Sequence, residues 1–293
     1  MTPQHFIPSA GVTLAAYTWG NPKTAKATIV LIHGYPDSAK IWQEMAELLA
    51  NDYYVISYDV RGSGESTIPK RIKQYDLSYL RQDLQAVIDT LAPNQKVHLV
   101  AHDWGSIQTW EAVTEPSLQD RIASYTSASG PCLDHMGYWM RQRLSQPNAK
   151  AVGQLAKQFS HSWYIWMFHL PFLAPNIWRF GGERLWPIML EKVEGIKEEH
   201  PNPSQVKDGQ YGVNLYRANI FKYVLAPRER YTTVPVQLLV PTNDHFMIED
   251  IWDDLDQWVP NLTRSTIEAG HWLQLSHAQQ FAQAASQFIE KHR

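Results

Sequence analysis

Lys96-Val-His-Leu-Val-Ala-His-Asp103-Trp-Gly-Ser106 is the stretch on which the fold turns. The largely apolar run 96–100 reads as a buried strand, and Gln108-Thr-Trp-Glu-Ala-Val113 beyond it has helical spacing. Between them, Ala101, Gly105 and Ser106 frame Asp103 as small-x-Asp-x-small-small. Small residues let a strand and a helix meet at an angle that would otherwise clash, leaving the central side chain exposed at a strained tip. A serine at that tip would suit ester cleavage. A carboxylate is a poor acyl-transfer nucleophile but a usable one at a saturated carbon, where it forms an alkyl ester. Asp103 therefore points to opening an epoxide or expelling a halide.

Working outward, strands are predicted at 27–32, 54–58, 96–100 and 122–126, and helices at 41–49, 77–91 and 104–113. This alternation implies an α/β fold, a mostly parallel sheet with helices on both faces. It stops near Pro131. Residues 131–230 hold helical fragments rich in Trp, Tyr, Phe and Met, broken by Pro171, Pro175, Gly181-Gly182 and Pro201-Asn-Pro203. The alternation resumes with a strand at 234–240, a helix near 249–258, a strand at 264–267 and a helix at 278–291. One α/β core of residues 1–130 and 231–293 is expected, with 131–230 inserted as a helical cap. The insertion leaves the sixth strand of the parallel series at its carboxyl end, where ligands bind in open α/β sheets.

The net charge of −3 and a pI near 6.5 leave no electrostatic footprint for nucleic acid or an anionic membrane. Cys132 is the single cysteine, which excludes an internal disulfide and suits a reducing compartment. Met1-Thr-Pro-Gln-His-Phe-Ile-Pro8 lacks the cationic start and apolar core of a signal peptide. The longest apolar stretch, 163–173, is interrupted by His169 and Pro171 and is too short to span a bilayer. A soluble cytoplasmic protein is expected, without membrane insertion; its oligomeric state is left open. There is no HExxH and no thiolate cluster, and no metal or cofactor is expected. Asp59-Val-Arg-Gly-Ser-Gly-Glu-Ser66 lacks the Lys-Ser/Thr ending of a phosphate loop and reads as a structural turn.

A nucleophile needs a base and an orienting acid. Asp244 follows the strand at 234–240 and His271 follows the strand ending at 267, so both sit on loops at carboxyl ends. The order Asp103, Asp244, His271 is the nucleophile-acid-histidine order of the α/β-hydrolase fold. Asp134, after the strand at 122–126, is the rival acid. His33-Gly34-Tyr35-Pro36 follows the first predicted strand, and its Tyr35 N–H is a candidate oxyanion donor beside the N–H of Trp104. An epoxide also needs its oxygen protonated as the C–O bond breaks, which phenols facing the nucleophile can do.

Taken together, His33-Gly-Tyr-Pro36, the Asp59 to Ser66 turn, His102-Asp-Trp-Gly105, the Asp244 loop and Gly270-His-Trp272 resemble the cap-bearing epoxide hydrolases of the α/β-hydrolase superfamily. In that family one cap tyrosine lies four residues before a Phe-x-x-Pro segment, and Tyr164 matches it ahead of Phe168-His-Leu-Pro171. The second lies in an Asn-x-Tyr-Arg-x-x segment, matched by Tyr216 in Asn214-Leu-Tyr-Arg217-Ala-Asn219. The resemblance implies an epoxide hydrolase in which Asp103 attacks, Tyr164 and Tyr216 donate to the oxygen, and His271 with Asp244 activates water. Tyr35 and Trp104 form the oxyanion hole, and the aromatic cap suggests a small apolar or aryl epoxide. The stretch 102–131 is also similar to the hydrolase half of actinobacterial proteins that fuse this domain to a short-chain dehydrogenase, for which these residues leave no room. A haloalkane dehalogenase is the alternative, weakened because Tyr35 stands where its halide-binding Asn is expected; fluoroacetate-type dehalogenases carry an Arg where this chain has Trp104. An esterase, or a non-enzymatic binding protein of the same fold, is a more distant alternative.

Overall fold

A computed structural model of the chain describes residues 1–197 and 202–293. Among these residues the expected strands appear as β3 (Thr28–Ile32), β4 (Tyr54–Tyr58), β5 (Val97–His102), β6 (Ile122–Ala128), β7 (Val236–Pro241) and β8 (Leu262–Ile267), all parallel. Two strands not read from the sequence precede them, β1 (His5–Ser9) and β2 (Val12–Trp19). They form an antiparallel hairpin closed by Ala10 and Gly11, both at positive φ, the geometry a two-residue turn demands. The single sheet runs β1-β2-β4-β3-β5-β6-β7-β8, with β2 antiparallel to β4. The strand at 122–128 is thus sixth along the chain but fourth of the parallel set. Every residue of β3, β4, β5 and β7 is buried, as strands covered on both faces must be.

The core helices are α1 (Gln43–Leu49), α2 (Leu77–Leu91), α3 (Trp104–Val113) and the short α4 (Pro116–Gln119); α1 enters through a 3-10 turn at Ala39–Trp42. Between β6 and β7 come α5 (Leu133–Ser145), α6 (Ala149–His161), α7 (Trp163–His169), α8 (Leu173–Val193) and α9 (Gln205–Leu225); α10 (Leu273–Ser276) and α11 (Ala278–Lys291) close the chain. The last of these packs on α1, and α2 packs on α3.

Several expectations are corrected. The helix expected at 249–258 is two 3-10 turns, Glu249–Trp252 and Leu255–Gln257, parted by Asp253 and Asp254. Its carboxylates are claimed from outside: Gln154 donates to Asp250 and Asp253, and Arg143 binds Asp253 and Asp254. Tertiary contacts here override the helical spacing of the apolar residues. The strand expected from 234 begins at Val236, because Pro235 has no N–H to give the ladder. Pro171 does separate α7 from α8, yet α8 runs on through Pro175, which sits in its first turn where the missing N–H costs nothing, and through Gly181-Gly182. Pro201 of the expected Pro201-Asn-Pro203 break lies outside the described residues. No helix among them is long and apolar enough to cross a membrane.

Candidate active site

Asp103 joins β5 to α3 at φ 52° and ψ −124°, a conformation an L-residue adopts only under constraint. The constraint is crowding. A Cβ on Gly105 would lie 2.1 Å from the Ile32 carbonyl oxygen, so α3 reaches this close to β3 only with glycine there. Ser106 contributes more than small size: its hydroxyl meets Tyr125 and Ser127, each at 2.6 Å, and donates to the Gly130 carbonyl at 2.8 Å.

The Asp103 carboxylate is divided between two partners. Oδ1 accepts the Tyr35 N–H at 2.7 Å, and Oδ2 faces His271 Nε2 at 3.6 Å. Trp104 opens α3, so its amide is among those with no intrahelical acceptor. Behind His271, Nδ1 meets the Asp244 carboxylate at 3.0 Å, and Asp244 Oδ1 is fixed by the N–H groups of Phe246 and Met247. Burial opposes charge on both members. The Asp244 and Asp103 charges nonetheless hold His271 well above its ordinary range, and the His271 charge and hydrogen bond hold Asp244 below its own. Asp134, the rival acid, starts α5 and is engaged by Arg228, at 2.7 Å from both its backbone and its guanidinium.

Two buried histidines brace the loops. His102 bonds the His271 carbonyl through Nε2 at 2.8 Å and meets the Gln274 side chain at Nδ1; burial pulls it down to about 4, so it stays neutral. His33 accepts the Val60 N–H at 2.9 Å, tying the Tyr35 loop to the turn after β4. That turn is a knot around Asp59, whose carboxylate takes the N–H groups of Ala39 and Glu65 and the Tyr17 hydroxyl.

Tyr164 on α7 and Tyr216 on α9 line one cavity with Asp103 and Trp104, their rings 5.9 Å apart. Burial first, reinforced by the Asp103 charge, raises both hydroxyls, which remain neutral donors. The residues flanking Tyr216 fix the pair. Arg217 donates to the carbonyls of Phe168 and Leu170, holding the end of α7, and the Asn219 side chain bonds Leu77 N–H and the Tyr75 carbonyl of the core.

One residue was not read from the sequence. Glu194, the C-cap of α8, lays Oε2 against Gly270, where a Cβ would be 2.4 Å away, and accepts the Trp272 N–H at 3.3 Å. Its Oε1 is buried with no hydrogen-bond partner among the described residues, and burial raises this carboxyl while the His271 charge lowers it. A carboxylate is disfavoured at a helix C-terminus. Nothing in Val193-Glu194-Gly195 signals more than a helix end.

A family model described as alpha/beta hydrolase fold matches residues 27–278. "Probable oxidoreductase EphD" of Mycobacterium tuberculosis is 34% identical over 287 residues, 96% of this chain but 48% of its own length. The chain thus spans about half the length of that relative. "Epoxide hydrolase 3" of Xenopus tropicalis is 26% identical over 278 residues, covering 90% of this chain and 71% of the relative. A crystal structure of Bacillus megaterium epoxide hydrolase in complex with an inhibitor superposes with a TM-score of 0.80 at 22% identity, covering 98% of this chain and 100% of the other. Epoxide hydrolase VrEH1 from Vigna radiata gives 0.76 at 21% identity over 98% and 97%. Both structures share the fold described above.

Proposed function

The chain belongs to the alpha/beta hydrolase fold family, and from that premise we propose that it is an epoxide hydrolase acting through a covalent ester on Asp103. The observation that carries this reading is the Asp103–His271–Asp244 chain, whose Asp103 lines a cavity with two neutral phenols. Relatives named epoxide hydrolase support it. We read residues 131–230 as a cap that brings the phenols over a core of residues 1–130 and 231–293.

In this reading Asp103 Oδ2 attacks an oxirane carbon. The C–O bond breaks, and its oxygen takes a proton from the Tyr164–Tyr216 pair, giving a hydroxyalkyl ester. Esterification removes the Asp103 charge, one of the two that hold a proton on His271. His271 passes its proton to the tyrosinate that ring opening leaves and then, oriented by Asp244, deprotonates a water that attacks the ester carbonyl carbon. The oxygen turning anionic is Oδ1, already at the Tyr35 N–H, with the Trp104 N–H as second donor. Such donors are worth about 3 kcal/mol each. The tetrahedral intermediate collapses, the leaving alkoxide takes the remaining proton of the added water, and the vicinal diol departs with Asp103 ionised and His271 protonated again. No cofactor enters these steps.

The direct test offers an aryl epoxide and a bromoalkane side by side. Diol without bromide is expected. Bromide release, undiminished by loss of both tyrosines, identifies a dehalogenase instead.

A further inference from the structure

Beside Asp103 the cavity measures only about 30 Å³, room for about two waters. Next to it, among α5, α6, α7 and α9, lies a chamber of about 260 Å³ with an almost wholly apolar lining. Met136, Gln158, Ser162, Ile165 and Ile220 line both spaces and so form their common wall. Ile165 and Ile220 are β-branched and stiff at χ1, and Gln158 is held by its bonds to Ser162, Phe246 and Ile248, whereas Met136 is unbranched and can swing. Movement of Met136 alone would open this wall to a chain one methylene wide more readily than to a ring. At the outer end, Trp166 and Leu225 line the chamber yet are 58% and 66% exposed, apolar surface held in water around its mouth.

We propose that this chamber is the subsite for the hydrocarbon arm of the substrate, and that the substrate class is a terminal epoxide on an unbranched alkyl chain. The inference rests on the epoxide reading for the identity of the head group. Space beside Asp103 admits an oxirane but no second arm, which puts the ring at the end of the chain. At about 260 Å³, against about 150 Å³ for an apolar cavity that takes benzene, the chamber has room for an arm of several carbons. Its apolar lining with few polar groups suits such an arm.

Calorimetric titration of the full chain with 1,2-butanediol, 1,2-hexanediol and 1,2-octanediol tests the subsite through the product it would release. Affinity is expected to rise roughly threefold per added methylene, about a hundredfold across the series. Leu155→Phe and Val224→Phe each narrow the chamber away from Asp103, and either is expected to weaken 1,2-octanediol about tenfold more than 1,2-butanediol. An affinity that stays flat with chain length, or a loss equal across the series in both variants, overturns the subsite. If affinity rises as expected but none of the matching 1,2-epoxides is turned over, the subsite stands and the epoxide reading falls.

Discussion

Asp103 stands at φ 52°, and the proposed chemistry turns on a carboxylate at that strained position. The turn was legible because its small residues lie close in sequence, and its carboxylate is what points the proposal to attack at a saturated carbon. The roles proposed for Tyr164 and Tyr216 rest on their sequence neighbours, of which Arg217 and Asn219 pin α7 and the core to α9. Glu194 was illegible because its partners, Gly270 and Trp272, are far along the chain. For the tyrosines, replacement of either by Phe is expected to lower kcat/KM for epoxide opening about 10²-fold, and of both about 10⁴-fold. Steady-state assays of the three variants check this. Full activity in the double variant removes the phenols from the chemistry.

At the scale of elements, the parallel strands and their helices were read closely because their residues are buried on both faces and leave near-continuous apolar runs. The hairpin of β1 and β2 escaped because no such run marks it. The 249–258 segment went wrong because Arg143 and Gln154, on other helices, decide its conformation. The start of α9 carries a testable clasp onto the loop after β4. Asp208 accepts the Gly64 N–H and the Ser204 hydroxyl, and burial outweighs these bonds to push its carboxyl up to about 7. The folded state therefore holds this proton above the unfolded value of about 4. Folded stability from this group falls as pH rises through that window and levels off above 7. Asp208→Asn removes the dependence. In urea unfolding at pH 5 and pH 8, the variant is expected to gain on the native chain at the higher pH, by up to about 3 kcal/mol. A difference that does not change with pH contradicts the assignment.

Across the whole molecule, the sheet acts as a jig. The ends of β3, β5, β7 and β8 bring Tyr35, Asp103, Asp244 and His271 to one edge, and α7 and α9 set two phenols against them. Chain order and strand-end placement made that convergence readable in advance. The cavity sizes and the shared wall were not, since they depend on how five helices pack. The central claim is that Asp103 carries the substrate as an ester until His271 activates water. His271→Gln removes the base and leaves the nucleophile, so intact-mass measurement after mixing with a reacting epoxide is expected to show the chain heavier by one epoxide, with a peptide containing Asp103 bearing the addition. An unmodified chain in that variant, while the native chain turns the same epoxide over, contradicts the account.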